Sequence, residues 1–282
     1  MLGKSDLHTH TKESDGALSA EQLIERAKKK GLKAISITDH DTINGYKKAR
    51  PAANEAGIEL IPGIEITALW NKREVHILAY LFDTENPKLL ALLKRQRLAR
   101  IKRMRDIVEV LRGQGLDISL DEVRAESGTG SPGRPHAASV LISKGYVASV
   151  AEAFIRYLSS EKLKGIRTDY ATVEEVVKIV KEAHGVLSLA HPGPLYSQKE
   201  INTLLEFGID GIECIHPSHN FNLQRSFTKM AESRHLLITG GSDFHGKRKS
   251  EYDPYFGIVT LGDKHLASMK RLAQRRKTEQ KS

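Results

Sequence analysis

Asp6-Leu7-His8-Thr9-His10, near the start of the chain, is the stretch on which the fold assignment depends. Residues two apart in a strand point to the same side, so His8 and His10 can direct both imidazoles into one cavity if a strand ends here. Imidazole is a common protein ligand for transition metals. The pair by itself is weak support for a metal site, and its meaning depends on partners elsewhere in the chain.

Metal-ligand residue types recur where short apolar segments end. Such residues follow five later segments and lie inside a sixth, and they are His40, Glu65, His191, His216 with His219, Asp243 with His245, and His76. A continuous apolar run is typical of a parallel strand buried on both faces. Barrel enzymes carry their chemistry at the carboxyl ends of such strands. The pattern therefore predicts one site built from several strand ends.

Strand-like and helical segments alternate in residues 1–83 and 168–282. Short connections between them imply parallel strands and right-handed crossovers, and about seven such units favour a barrel over an open sheet. Residues 84–167 lack the strand rhythm, and we expect them to form a mainly helical, basic insertion over one face of the barrel. We also expect a last strand at residues 255–261 and a frayed basic tail at residues 270–282.

Composition bounds the class of protein. The chain has 282 residues, a formal net charge of +9 and one cysteine, Cys214, which excludes an internal disulfide and indicates a reducing compartment. The sequence contains neither an apolar stretch of membrane-spanning length nor the apolar region of a signal peptide. We therefore expect a cytoplasmic protein with no membrane association and no obligate protein partner.

Residues 88–112 combine nine Lys or Arg with apolar residues at helical spacing. This pattern predicts an amphipathic basic helix. Two interpretations stay open, a solvated face that keeps the protein soluble and a surface that steers polyanions such as RNA.

The motifs, taken in order, resemble those of the PHP (polymerase and histidinol phosphatase) family of metallophosphoesterases. The motifs are Asp6-Leu7-His8-Thr9-His10, Ser14-Asp15-Gly16, Thr38-Asp39-His40-Asp41, Gly63-Ile64-Glu65, His76, Ala190-His191-Pro192 and Gly241-Ser242-Asp243-Phe244-His245. The resemblance covers the chain from residue 6 to about residue 246, apart from the insertion. It implies a distorted (β/α)7 TIM-like barrel, an α/β fold, that holds two or three divalent metal ions.

The resemblance also implies which residues bind the metals. One ion would be bound by His8, His10, Glu65 and Asp243, a second by Glu65, His76 and His191, and a third by Asp15, His40 and His245. Asp15 stands where several family members carry His, so the third site is richer in oxygen, which favours manganese, iron or magnesium there over zinc. The residues predicted to be catalytic are His8, His10, Asp15, His40, Glu65 and Asp243. Either Asp39 or Asp41 could orient His40, although Asp41 could equally serve a helix cap or a turn.

Substrate contacts are predicted in a second group of residues. Gly133-Arg134-Pro135-His136 precedes a predicted helix at residues 137–144, and a guanidinium at a helix amino terminus makes a phosphate site. A purely structural arginine in a loop is the alternative. Together with residues 214–220, this element resembles the family branch that acts on nucleotides and RNA 5′ ends. In that branch Arg134 and His136 would hold one phosphate and Ser218 or His219 would touch another, while His216 could serve structure at its strand end.

These residues predict a metal-dependent phosphoesterase that uses a metal-activated hydroxide. The expected substrate is a nucleoside 3′,5′-bisphosphate or a short RNA degraded from its 5′ end. A histidinol-phosphate-type phosphatase for small molecules is one alternative. A nucleic-acid-binding module with structural metals is another, disfavoured because structural zinc sites are mostly rich in cysteine and this residue set contains none.

Overall fold

The computed structural model describes residues 4–128 and 130–279. The strands are β1 (Ser5–Asp6), β2 (Ala34–Ile37), β3 (Glu59–Trp70), β4 (Arg73–Tyr80), β5 (Val186–Leu189), β6 (Gly211–Ile215) and β7 (Leu237–Gly240). The helices are α1 (Ala20–Lys29), α2 (Asn44–Ala56), α3 (Pro87–Gly113), α4 (Leu120–Ser127), α5 (Arg134–Ser143), α6 (Val150–Ala153), α7 (Val173–Glu182), α8 (Gln198–Glu206), α9 (Phe221–Ser233) and α10 (Asp263–Glu279).

The seven strands form one sheet in sequence order from β1 to β7. Its two edges meet, because the Leu7 N–H donates to the Gly240 carbonyl at 3.3 Å and Thr9 forms a parallel bridge with Phe244. The sheet is therefore a nearly closed barrel, as the alternation of apolar runs predicts. Buried aliphatic side chains such as Ile64, Ile77 and Ile212 fill the core.

Strand β4 runs antiparallel to both of its neighbours, whereas the alternating pattern predicts parallel strands. Asn71 and Lys72 connect β3 to β4 with φ values of 47° and 63°, and a turn this short forces a hairpin. Glu65 lies opposite Leu78 in this hairpin, so His76 is its diagonal neighbour on the same face of the sheet. The reversal thus brings His76 beside Glu65.

Helices α3 to α6 lie in the range predicted as a helical insertion and build a hydrophobic cluster of their own, which includes Ile107, Leu111 and Leu141. The first part of α3 instead packs against the barrel core through Leu89 and Leu92. The exact bounds 84–167 stay a prediction. Among residues 4–128 and 130–279, no helix is long and apolar enough to cross a membrane.

The basic residues of α3 mostly pair with carboxylates outside this helix. Of the nine Lys and Arg in residues 88–112, five form ion pairs, namely Lys88–Glu182, Arg95–Glu175, Arg100–Asp41, Lys102–Asp169 and Arg103–Glu74. The buried amide of Gln96 adds a hydrogen bond to the Thr67 carbonyl and accepts one from the Ala171 N–H. These contacts fasten α3 to the barrel, and they neutralise much of the charge on which RNA steering would depend.

The carboxyl-terminal region differs from expectation. Residues 255–261 do not form a strand, and Leu261 makes only an isolated bridge to Ser5. Residues 263–279 form α10 rather than a frayed tail, because Leu266, Met269 and Ala273 recur at helical spacing and are buried. Residues 280–282 of the predicted tail lie outside the described residues.

Candidate metal centre

The structure brings all nine predicted metal ligands into one buried cluster at the carboxyl edge of the barrel. Successive rings lie close together, with centroids 4.0 Å apart for His10 and His245, 4.8 Å for His10 and His40, and 5.4 Å for His76 and His191. Most members are fully or nearly fully buried, and His76 and His191 are partly exposed towards a cavity. Strand ends distant in sequence therefore converge on one site.

Glu65 lies at the centre of the cluster and contacts it through both oxygens. Its Oε1 lies 2.9 Å from His76 Nδ1 and 3.0 Å from His191 Nε2. Its Oε2 lies 3.4 Å from His8 Nε2 and 3.3 Å from both His10 Nε2 and His40 Nδ1. One carboxylate thus faces two separate groups of imidazoles, which is the geometry of a bridging ligand.

Asp15 organises a second side of the cluster. Its Oδ1 lies 3.3 Å from His245 Nε2 and 3.6 Å from His10 Nδ1, and its Oδ2 lies 3.7 Å from His40 Nε2. The ligand atoms of these four residues lie close enough together to hold one ion. The aspartate and three imidazoles form a compact donor set.

Asp243 completes the group around the two histidines of the first motif. Its Oδ1 lies 3.4 Å from His8 Nε2 and 3.3 Å from His10 Nε2. Its Oδ2 accepts a hydrogen bond from Lys249 Nζ at 2.5 Å and lies 3.3 Å from His216 Nε2. Because Oδ2 is occupied on the far side, Oδ1 is held towards His8 and His10.

The backbone at this site is strained. Asp243 and His191 have φ values of 50° and 27°, which residues other than glycine rarely adopt. Gly241 lies so close to the first motif that a Cβ there would be 2.3 Å from the His8 amide nitrogen. Close approach of these two segments is what brings Asp243 to His8.

The donor set fits divalent metal ions. Within residues 4–128 and 130–279, three imidazole nitrogens of the cluster are buried and lack a hydrogen-bond partner, and they are His8 Nε2, His10 Nε2 and His40 Nδ1. Buried polar atoms without partners are costly unless a ligand satisfies them. Neutral imidazole and carboxylate together suit zinc, iron and manganese.

Hydrogen bonds at the far ring nitrogens select the tautomer of two histidines. Glu213 Oε1 lies 2.8 Å from His8 Nδ1, and the Asp243 carbonyl lies 2.8 Å from His245 Nδ1. Each oxygen can only accept, so Nδ1 carries the proton and Nε2 keeps its lone pair for a cation. Both histidines are therefore prepared to act as ligands.

The charges of the cluster shift the ionisation of its members. Burial by itself would raise the pKa of Glu65, but the imidazoles of His40, His76 and His8 outweigh it and hold the pKa well below its usual value. The pKa of Asp243 is likewise held low against burial, chiefly by Lys249. Both carboxylates are therefore ionised and available to bind a cation.

One residue of the centre, Glu213, is not among the sequence-based candidates. Glu213 is fully buried and also accepts the His191 N–H at 2.7 Å, so it links two candidate ligands. An acidic residue inside the apolar strand Gly211–Ile215 is the signal that could have identified it. His216 accepts the Ser218 N–H through Nδ1 at 3.0 Å, so its proton lies on Nε2, facing Asp243.

A cavity of about 420 Å³ opens onto the cluster. One part of its wall consists of candidate ligands, including Asp15, Glu65 and His191. Five cationic residues contribute to the rest, and they are Arg100, Arg103, Arg134, Arg248 and Lys249. Phe154 and Met104 supply apolar surface. We call this space the first cavity, and its walls suit a phosphorylated ligand with an apolar ring.

The predicted substrate residues of the insertion occupy different positions. Arg134 lines the first cavity, and its Nη1 donates to the Leu158 carbonyl at 3.2 Å and to Ser160 Oγ at 3.3 Å. His136 is almost completely buried at the start of α5, where its Nδ1 accepts the Gly133 N–H at 2.9 Å. Burial lowers the pKa of His136 to about 4, so its ring is neutral. Its contact with a phosphate stays a prediction.

Ser218 and His219 form hydrogen bonds within the protein. Ser218 Oγ lies 2.8 Å from His216 Nδ1. The Nε2 of His219 accepts the Gly193 N–H at 2.9 Å, and its Nδ1 lies 3.1 Å from the Cys214 carbonyl. Both ring nitrogens of His219 therefore have backbone partners, and substrate contacts by these two residues also stay predictions.

Asp39 and Asp41, the neighbours of His40, hold surrounding segments. Asp39 accepts hydrogen bonds from Thr11 and Ser14, which fixes the loop after the first motif. Asp41 accepts the Thr67 N–H at 2.9 Å and pairs with Arg100 at 2.6 Å. Both aspartates thus stabilise the frame around His40.

The sequence model of the PHP domain family matches residues 6–190 of this chain, and the chain belongs to this family. A crystal structure from Bifidobacterium adolescentis, described as a metal-dependent phosphoesterase, superimposes with a TM-score of 0.86 at 33% identity and covers 95% of this chain and 96% of its own. The chain is a metal-dependent phosphoesterase with a TIM-like barrel. A binding module whose metals are only structural is therefore not its class.

Curated relatives have related but distinct activities. A 5′-3′ exoribonuclease from Haemophilus influenzae is 34% identical, with 87% of this chain and 91% of the relative covered. A 3′,5′-nucleoside bisphosphate phosphatase from Chromobacterium violaceum is 31% identical, with 86% and 88% covered. A phosphoribosyl 1,2-cyclic phosphate 1,2-diphosphodiesterase from Eggerthella lenta is 33% identical, with 86% and 94% covered.

Proposed function

We propose that this enzyme hydrolyses the 3′-phosphate ester of a nucleotide that also carries a 5′-phosphate. The observation that carries the proposal is the first cavity, where an imidazole and carboxylate cluster faces five cationic residues. Four of these pair with carboxylates, whereas Arg134 forms no ion pair within the described residues. Two phosphate groups on one nucleotide need two anion-binding regions, one at the reacting centre and one at a distance. Names of relatives that act on RNA and on nucleoside bisphosphates support the same substrate class.

The proposed metal ligands are the carboxylates of Asp15, Glu65 and Asp243 and the histidines that lie beside them. Glu65 would join the His8, His10 and Asp243 group to the His76 and His191 group, and Asp15 would act with His40 and His245. Divalent cations held by these residues would supply Lewis-acid polarisation of phosphoryl oxygens and activation of water. The carboxylate oxygen of Asp15 favours a hard ion at that position.

Residues of the chain would orient the substrate. Arg134 and Arg248 present guanidinium groups to the cavity and can bind the 5′-phosphate, which a planar fork of donors recognises well. Phe154 offers a flat apolar surface for the base. Lys249 keeps Asp243 ionised and oriented through its direct hydrogen bond.

A substrate panel tests this proposal. The enzyme, loaded in separate samples with Mn²⁺, Mg²⁺, Fe²⁺ or Zn²⁺, would be incubated with a nucleoside 3′,5′-bisphosphate, 5′-phosphorylated RNA, histidinol phosphate and a phosphoribosyl 1,2-cyclic phosphate. We expect release of inorganic phosphate from the bisphosphate and of mononucleotide from RNA. Turnover of histidinol phosphate alone, or of the cyclic phosphate alone, would overturn the nucleotide assignment.

Replacing Arg134 by alanine should raise KM for the nucleoside 3′,5′-bisphosphate about tenfold to 100-fold, because a charge-assisted contact to phosphate is worth roughly 1.5–3 kcal/mol. Steady-state kinetics would measure KM, and elemental analysis should find the metal content unchanged. Arg124→Ala is the matched control, since Arg124 is exposed on α4. Unchanged kinetics in R134A would assign Arg134 a structural role only.

Replacing Glu213 by glutamine should weaken metal binding about tenfold to 100-fold, the usual cost of removing a carboxylate that orients a ligand histidine. The amide conserves the shape but removes the charge that fixes the proton on His8 Nδ1. Titration of the metal-free protein with Mn²⁺ would measure the dissociation constant. Glu206→Gln, at the end of α8, is the control. Equal affinity in E213Q and wild type would show that Glu213 does not support the centre.

A further inference from the structure

A second cavity of about 450 Å³ adjoins the first one. Five residues line both cavities, and they are Glu74, His76, Arg103, Arg134 and His191. His76 and His191 are also the members of the cluster that contact Glu65 Oε1. The two cavities therefore meet at the reacting centre.

The second cavity lies between the barrel and the insertion. The β3–β4 hairpin contributes Lys72 and Arg73, the segment after β5 contributes Tyr196, and the insertion contributes Lys164. Five Lys or Arg line this cavity against one carboxylate, that of Glu74. Arg73 pairs with Glu200 outside the cavity and Arg103 pairs with Glu74, so the excess positive charge of the lining comes from Lys72, Arg134 and Lys164.

The cavity also offers a surface on which a base can stack. The Arg73 guanidinium lies over the Tyr196 ring, 5.3 Å from its centroid. Aromatic and guanidinium planes stack nucleobases without sequence preference, and nearby lysines attract the phosphodiester backbone. A positive channel with a planar surface is the arrangement that single-stranded nucleic acids bind.

The chemistry of the substrate suggests which nucleotides would lie there. Hydrolysis at the 3′-phosphate joins the oxygen of water to phosphorus, breaks the bond from phosphorus to the 3′ oxygen, and transfers a proton to that oxygen. In a nucleoside bisphosphate, nothing extends beyond the phosphorus. In RNA, the next nucleoside is attached to the same phosphorus and stays attached to it after hydrolysis. The chain that follows must therefore extend away from the reacting centre on the side opposite the first nucleotide.

We propose that the second cavity binds the RNA nucleotides that follow the scissile phosphate, while the 5′-terminal nucleotide occupies the first cavity. The inference rests on the proposed function, because it takes the 3′-phosphate of the first nucleotide as the reacting group. It assigns to Lys72, Lys164 and the Arg73–Tyr196 pair a role in the hydrolysis of RNA that a mononucleotide does not require.

The test reverses two charges that serve only the second cavity. Lys72 and Lys164 are exposed and lie outside the metal centre, so Lys72→Glu with Lys164→Glu should leave the fold intact. The double variant Lys28→Glu with Lys162→Glu, at exposed positions outside both cavities, has the same net charge and is the control. Each protein would be assayed on a nucleoside 3′,5′-bisphosphate and on a 5′-phosphorylated trinucleotide.

We expect kcat/KM for the trinucleotide to fall about tenfold in the second-cavity variant, because repulsion replaces attraction at the phosphodiesters. The value for the bisphosphate should stay within about twofold, and the control should match wild type on both substrates. Fluorescence anisotropy of a trinucleotide with a fluorescent label at its 3′ end would measure binding to the metal-free proteins. We expect the second-cavity variant to bind it about tenfold more weakly than wild type.

Equal loss on both substrates, or no loss on the trinucleotide, would overturn the second-cavity assignment while the proposed function stands. A wild-type enzyme that hydrolyses the bisphosphate but not the trinucleotide would overturn it as well. If wild-type enzyme hydrolyses neither substrate with any of the metals, the proposed function fails and the inference fails with it.

Discussion

Replacing both His8 and His10 by alanine is expected to reduce turnover of nucleotide phosphate esters by more than about 10⁴-fold, a loss of ~5 kcal/mol in transition-state stabilisation. The Nε2 atoms of both rings lie within 3.4 Å of carboxylate oxygens of Glu65 and Asp243. Without the two imidazoles, these buried carboxylates lose the partners with which they would hold a cation. Phosphate release and the metal content per chain would be measured on the same preparation.

The control for this pair replaces two histidines outside the cluster. His235→Asn with His265→Ala changes one exposed and one half-buried histidine, and asparagine tolerates the positive φ of 55° at position 235. This variant should keep wild-type turnover and metal content. Circular dichroism would confirm that both double variants are folded. Retained turnover in the folded His8 and His10 variant would exclude the proposed centre.

Removing divalent cations is expected to abolish turnover and to lower the thermal midpoint of unfolding by about 10 °C. A ligand present at about 1,000 times its Kd stabilises the native state by ~4 kcal/mol, and a chain of this size loses roughly 2–4 °C per kcal/mol. Chelation followed by dialysis and differential scanning calorimetry would measure the shift. Adding Mn²⁺ or Mg²⁺ back should restore both the midpoint and the turnover.

The double variant lacking His8 and His10 gives this experiment its specificity. Stabilisation by cations at the centre should be reduced in that variant, whereas cations bound elsewhere would stabilise it as they do wild type. An apo enzyme that keeps full activity, or equal midpoints in the presence and absence of metal, would contradict the assignment of a metal centre to this cluster.

Apolar runs ending in ligand-type residues predict a barrel with one site at its strand ends, and the resemblance to the PHP family implies the full set of metal ligands. A strand alternates its side chains with a period of two, and parallel strands end at the same edge, so His8, His10 and Glu65 could be placed together without coordinates. Helix α1 begins with a capping box in which Ser19 and Gln22 exchange hydrogen bonds, a pattern that is visible in the sequence alone. Local periodicity and local caps carry this information.

Charge pairing across the molecule could not be predicted in the same way. The basic residues of α3 look like a polyanion surface in sequence, but their carboxylate partners are distant in sequence. Arg100 and Asp41 pair only because α3 packs on the barrel beside residues that neighbour the metal cluster. Which charge is free and which is paired depends on packing.

The sequence alone thus determined the kind of fold and the chemical nature of the centre, because strand periodicity and the identity of ligand residues are local properties. Tertiary structure alone decided how the centre is supported and what reaches it. Glu213 orients His8 from a strand distant in sequence, and the β3–β4 hairpin meets the insertion to form the second cavity. These features arise from contacts between segments far apart in the chain, which no local pattern records.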